Sequence, residues 1–213
     1  AGTGSAGMAD AWRQHPQVVA IDRSWEAVKR AQASGYPWTC QADACQLPFL
    51  NNSIEVLGVF DLLEHLRDDY EGIAELARVL KPEGYILCLV PAFQCLWSEQ
   101  DNALGHYRRY RASQLHALLA SAGLRIVKLT YCFSFLWPVV AIITILQRLK
   151  PSSRGPRAHI EIPMARPLSA LGMWLSCMER VWLRGVTLPL VTSIFCVARK
   201  TSAHVEEPRP CPA

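Results

Sequence analysis

The chain opens on AGTGSAGMADAW, where Gly2, Gly4 and Gly7 fall in the pattern G-x-G-x-x-G, and the run QVVAID closes on Asp22 about twenty residues later. Glycines allow a tight turn and close backbone approach, and a helix beginning just after them offers unpaired N–H groups. An aspartate at the end of the next strand can accept hydrogen bonds from both hydroxyls of a ribose. That chemistry serves a nicotinamide dinucleotide or S-adenosylmethionine, and the glycines alone do not separate the two. Such a fingerprint normally follows a strand. None precedes it here, so the N-terminal strand of the sheet reads as truncated.

A second group lies in the long stretch after Pro91. His106 is the candidate general base, with a solvated or structural histidine as the alternative. Arg108, Arg109 and Arg111 alternate with Tyr107 and Tyr110 in YRRYR, a pattern suited to clamping a phosphate or carboxylate. The plainer reading is a solvated loop face with one arginine buttressing the sheet. A third group is Asp61, Glu64 and His65, whose i, i+3, i+4 spacing puts them on one side of a helical turn. A magnesium ion with oxygen ligands would be chemically reasonable there, but the same residues read as a structural helix start, and no metal is expected.

Elements must carry these groups. QVVAID reads as a buried strand over 17–22, and Ser24 as the N-cap of a helix that Gly35 ends. WTCQA and IEVLGVF (54–60) are strands. Ile73, Leu76, Ala77 and Leu80 repeat at helical spacing until KPEG. YILCLV (85–90) is a strand, Ser113 reads as the cap of the helix SQLHALLASAG, and LRIVKLTY is the next strand. Strands alternating with helices imply a doubly wound sheet with ligands beyond the carboxyl ends of its strands. Gly2–Gly7, Asp22, Asp43, Phe60, Asp61 and the 91–112 loop then share one face.

Composition sets the bounds. With 51% hydrophobic residues and a net charge of +4, the chain can fill a core and lacks the long basic face a nucleic-acid duplex requires. Its eight cysteines include no C-x-x-C and mostly sit in apolar runs, which suits reduced core thiols in the cytoplasm. The uncharged run CFSFLWPVVAIITIL (132–146) is shorter than the ~20 residues of a spanning helix. It and a second apolar helix, from Pro167 to about Arg184, read either as a lid or dimer face, or as an in-plane contact with the inner face of a membrane.

Together the motifs resemble the class I S-adenosylmethionine-dependent methyltransferases, in particular their bacterial type 11/12 branch. The segments are AGTG, VVAIDRS, QADACQLPF, VFDLLEHL, RVLKPEGYILCLVP and, for one subgroup, LWSEQDNALGHYRRY. The resemblance implies an α/β Rossmann-like methyltransferase sheet with C-terminal apolar helices and a final antiparallel strand. It places the core at 1–131 plus 190–200, an apolar helical insertion at 132–189 and a disordered tail at 201–213. It implies S-adenosylmethionine as cofactor, with Gly2 and Gly4 at the methionine portion and Asp22 on the ribose. Arg23, Asp43 and Ala44 fall by the adenine, and Phe60 and Asp61 flank the methionine end. Trp97, Arg108, Arg109 and Tyr110 would meet a small, hydrophobic or lipid-linked acceptor. The rival readings are a nicotinamide-dependent oxidoreductase and a non-catalytic binding module.

Overall fold

The computed structural model describes residues 17–132 and 192–201. Expectations for Gly2 and Gly4, the apolar insertion at 133–189 and the tail from residue 202 lie outside the described residues.

Strand β1 (Val19–Asp22) pairs in parallel with β2 (Trp38–Gln41), and helix α1 (Trp25–Ala33) crosses between them. The helix begins where the backbone N–H of Ser24 meets Asp22 Oδ1 at 2.9 Å; the Ser24 hydroxyl makes no capping bond. Its apolar stripe, Ala27, Val28 and Ala31, is buried, and Gly35 ends the turn with φ of 89°, where a Cβ would be strained.

A second sheet runs in the order β3 (Ile54–Phe60), β4 (Leu80–Pro91), β6 (Ser193–Lys200), β5 (Leu124–Cys132). β3 and β4 are parallel through helix α2 (Asp69–Val79), while β6 is antiparallel to both its neighbours. The final strand is thus antiparallel, as the resemblance implied. Asp68 caps α2 by accepting the N–H of Glu71 at 3.0 Å, and Ile73, Leu76 and Ala77 point into the core. Lys200 of β6 donates to the carbonyls of Ala77 and Leu80 at 2.7 and 2.8 Å, satisfying groups that the end of α2 leaves open. Buried Cys88 and Cys196 face each other across the β4–β6 ladder within this core.

β4 is longer than the 85–90 expected, because Leu80 already pairs with Ile54 before the KPEG irregularity. Gly84 sits in that irregularity with the carbonyl oxygens of Glu55 and Lys81 each 2.9 Å from where a Cβ would stand. Helix α4 (Ala112–Ser121) starts before Ser113, which is therefore not its cap; the Arg111 N–H is held instead by Gln114 Oε1 at 2.9 Å. β1 and β3 do not pair, and among the described residues no strand lies between them.

The loop after β4 is tied down at several points. A bridge joins Ala92 to Tyr110, and the Phe93 N–H reaches the Tyr110 carbonyl at 2.9 Å. Ser98 and Asp101 form a capping box that starts the short helix α3 (Glu99–Leu104). Gly105, with φ of 72°, ends that helix and lets the His106 N–H return to the Asp101 carbonyl at 2.9 Å. Asp101 is 1% exposed, and Arg109 grips it through two hydrogen bonds of 2.9 Å each. Tyr110 is buried, donating its hydroxyl to buried Asp69 at 2.8 Å. Arg108 pairs with the same aspartate and donates to the Arg67 carbonyl at 2.6 Å. Trp97 Nε1 donates to Asn102 at 3.1 Å.

These contacts engage the residues read as a possible anion clamp and match the plainer reading of a buttressing arginine. Trp97, Arg108, Arg109 and Tyr110 fasten the loop to itself and to α2. Two guanidiniums already paired with buried carboxylates make poor anchors for a further anion. Among the described residues, no helix is long and apolar enough to cross a membrane.

Breaking the Asp101–Arg109 pair would leave a cation with little solvent around it. Asp101→Asn is expected to lower the unfolding free energy by about 3–5 kcal/mol in urea titrations. Gly84→Ala should cost about 1–3 kcal/mol, because backbone, not a mobile side chain, must yield. Wild-type stability for either variant would contradict these assignments.

Candidate active site

A cavity of about 660 Å³ opens at the carboxyl ends of β1 to β4. Its size suits a cofactor-scale ligand. The location is the one predicted for a doubly wound sheet, and it gathers residues far apart in sequence. Asp22 ends β1 and Arg23 follows it, Asp43 and Ala44 follow β2, Phe60 ends β3 and Asp61 follows it, and His106 arrives from the loop. All six expected cofactor-side residues within the described chain line this one cavity, as does His106. Trp97, Arg108, Arg109 and Tyr110 do not.

Two carboxylates that line the cavity accept bonds from local turns. Asp22 Oδ1 takes the Ser24 N–H, and Asp43 Oδ1 takes the Cys45 N–H at 2.9 Å. Such bonds, two residues along the chain, help to fix a short acidic side chain at a strand end. Arg23 stands 3.9 Å from Asp43 Oδ2, but it is 87% exposed, so the pair contributes at most about 1 kcal/mol. Phe60 folds over Gly58, where a Cβ would come within 2.9 Å of the ring.

Asp61, Glu64, His65 and His106 also line the cavity, Glu64 buried and His106 half-buried. Asp61 adopts φ of 48°, an uncommon backbone for a residue with a side chain, as its N–H donates to the Leu89 carbonyl at 3.0 Å. Burial pushes its carboxyl up, and His106 pulls it partly back. Glu64 is fully buried, and among the described residues no neighbour donates to either of its carboxylate oxygens. Burial raises its carboxyl to about 8, with the charge of Asp61 adding to the effect. The Leu63–His65 segment is a 3-10 turn, not the α-helical start the spacing suggested, so Asp61 does not stack over Glu64 and His65 on one helical face.

The two histidine rings meet edge to face, with centroids 4.6 Å apart. His106 Nδ1 lies 2.9 Å from Asp101 Oδ1. Burial lowers the pKa of His65, and the charge of His106 lowers it further, while the Gly105 backbone and the charge of Asp22 oppose both. Burial alone would raise the Asp101 carboxyl, but hydrogen bonds from His106 and Arg109 outweigh it and hold this group well below the usual carboxylate range. Asp101 was not singled out in the sequence. Its one local signal is the Ser98-x-x-Asp101 spacing, which reads as a helix cap and gives no hint of the histidine and arginine it also holds.

Comparison with known proteins agrees with this geometry. Residues 1–88 match a family described as a methyltransferase domain. A protein of Mycobacterium tuberculosis named "Probable S-adenosylmethionine-dependent methyltransferase" is 32% identical over 111 residues, covering 50% of this chain and 40% of that protein. The UbiE ubiquinone/menaquinone biosynthesis C-methyltransferase of Desulfotalea psychrophila is 41% identical over 64 residues, covering 30% of this chain and 26% of the relative. The chain spans less than half the length of these curated relatives. Among solved structures, the YcgJ protein of Bacillus subtilis superposes with a TM-score of 0.60 at 17% identity, covering 94% of this chain and 90% of that one. A geranyl diphosphate methyltransferase in complex with S-adenosylmethionine gives 0.59 at 13% identity, covering 94% and 76%. Residues 1–88 thus match a methyltransferase domain, and the described fold is similar to that of solved S-adenosylmethionine-dependent methyltransferases.

Proposed function

We propose that this protein transfers a methyl group from S-adenosylmethionine to a small, hydrophobic or lipid-linked acceptor. The observation that carries the reading is one cavity lined by Asp22 and Asp43 at strand termini together with Asp61, Glu64, His65 and His106.

The donor set fits the cofactor. An aspartate only accepts hydrogen bonds, and both the ribose hydroxyls and the adenine amino group can donate. Asp22 would hold the ribose, and Asp43 with Ala44 and Arg23 would flank the adenine. Phe60 and Asp61 would border the methionine end, with Gly2 and Gly4 supplying backbone beside it. When bound, the cofactor supplies an electrophilic methyl carbon on a sulfonium.

The chain's own part is alignment and proton handling. Asp101 holds His106 through Nδ1, which fixes the tautomer and leaves Nε2 to accept a proton from the acceptor. Arg109 holds Asp101 in turn, so the imidazole cannot swing away without breaking a buried ion pair. Leu66 and Leu104 line the cavity and limit water at this end. An apolar acceptor is supported by the many leucines on the walls and by the likeness to the quinone-pathway relative. Peripheral membrane contact through the 132–189 insertion is a further part of this reading.

Calorimetric titration tests the cofactor assignment. Asp22→Ala is expected to weaken S-adenosylmethionine binding by about 10–100-fold, the loss of charge-assisted hydrogen bonds. Unchanged affinity would contradict the site, and tight binding of NADH in its place would favour an oxidoreductase. His106→Gln is expected to leave cofactor affinity within about two-fold while reducing turnover by roughly 10²–10⁴. Full turnover in that variant would remove His106 from the chemistry.

A further inference from the structure

Glu64 lines the cavity, yet the Asp101–His106 pair handles a proton without it. Its side chain is fully buried, and among the described residues no neighbour donates to either carboxyl oxygen. A polar group left so is costly unless a ligand completes it. The charged and titratable groups that face it are Asp61, Asp101, Arg109, Tyr110, His65 and His106. Arg109 is committed to Asp101, and Tyr110 gives its hydroxyl to Asp69. Burial therefore raises the carboxyl to about 8, with the charges of Asp61 and Asp101 adding to the effect. At neutral pH the group keeps its proton and offers one O–H donor to the cavity.

His106 offers the complement. Asp101 occupies its Nδ1 at 2.9 Å, which leaves the other ring nitrogen to accept. A carboxyl oxygen of Glu64 and a ring nitrogen of His106 lie within 4.8 Å of one another. Two hydrogen bonds of about 2.8 Å that meet at one tetrahedral oxygen span about 4.6 Å. A single oxygen atom can thus bridge the pair. A hydroxyl so placed donates its one proton to His106, accepts the Glu64 proton on one lone pair and keeps the other lone pair free. An amine has one lone pair only, and accepting from Glu64 would occupy it.

We infer that Glu64 and His106 together form a hydroxyl-recognition site, and that the acceptor carries a phenol- or enol-type hydroxyl on an apolar body. The inference rests on the methyltransferase reading and names its acceptor class. Phenolic hydroxyls titrate near about 10 and alkyl alcohols far higher, so an imidazole base favours the former. Leu62, Leu66 and Leu104 on the same cavity wall suit the apolar body.

The test uses the full chain saturated with S-adenosylhomocysteine, in buffer containing EDTA so that no cation takes part. The probes are para-butylphenol and para-butylaniline, titrated by calorimetry. Near neutral pH the wild type is expected to bind the phenol at least about 10-fold more tightly, since the aniline leaves the Glu64 O–H unpaired. Near about pH 9 Glu64 ionises and no longer donates, and the preference is expected to fall below about 3-fold. Glu64→Gln keeps an N–H donor that does not titrate, so its preference should persist at both pH values. Glu64→Leu should lose it. S-adenosylhomocysteine affinity within about two-fold of wild type shows that each variant is folded. Equal wild-type affinity for the two probes, or a Leu variant that keeps the preference, would overturn the proposal. A chain that prefers the phenol but does not bind S-adenosylhomocysteine would sink the methyltransferase reading and leave the hydroxyl site standing.

Discussion

The buried Asp101 carboxylate is the constraint on which the site depends. It accepts from Arg109 twice, from Ser98 and from His106. A carboxylate so deeply buried would be unfavourable if any large share of those donors were missing. Once all are present, the loop has one conformation, because each donor comes from a different part of it. The capping box sets the start of α3, Gly105 turns the chain back, and Arg109 closes the circuit. His106 reaches the cavity as a consequence of this arrangement.

The second fastening lies deeper. Tyr110 and Arg108 both converge on Asp69 in the first turn of α2. The loop is thereby tied to the helix that follows the Leu63–His65 turn, and the Tyr107 N–H reaches the Glu64 carbonyl at 2.7 Å. The polar end of the cavity is thus assembled from two segments that cannot shift independently. Asp22 and Asp43, in contrast, stand at strand ends, each accepting a backbone N–H two residues on.

The order of strands and helices was legible because hydrophobic periodicity is local. β3 spans Ile54–Phe60 as read, and the buried faces of α2 and α4 follow their helical spacing. Boundaries moved where hydrogen bonding decided them: β4 begins at Leu80, and α4 begins ahead of Ser113. The ligand face was legible for the same reason as the strand order, since carboxyl ends of parallel strands must share an edge. What escaped the sequence was pairing across distance. Nothing in YRRYR says that Arg109 and Tyr110 turn inward to carboxylates, since alternating basic and aromatic residues look alike on a surface and in a clamp. Nothing near LEH announces His106, and the spacing of Asp61, Glu64 and His65 misled because the backbone there is a 3-10 turn after a left-handed residue.

The central claim is that one cavity holds the nucleoside between Asp22 and Asp43 with its sulfur directed to the Asp61–Glu64–His106 end. A crystal structure of the chain with S-adenosylhomocysteine measures this most directly. The account predicts ribose hydroxyls on Asp22, the adenine beside Asp43, and the sulfur facing the buried carboxyls and His106. A nucleoside seated outside this cavity, or reversed within it, would contradict the account.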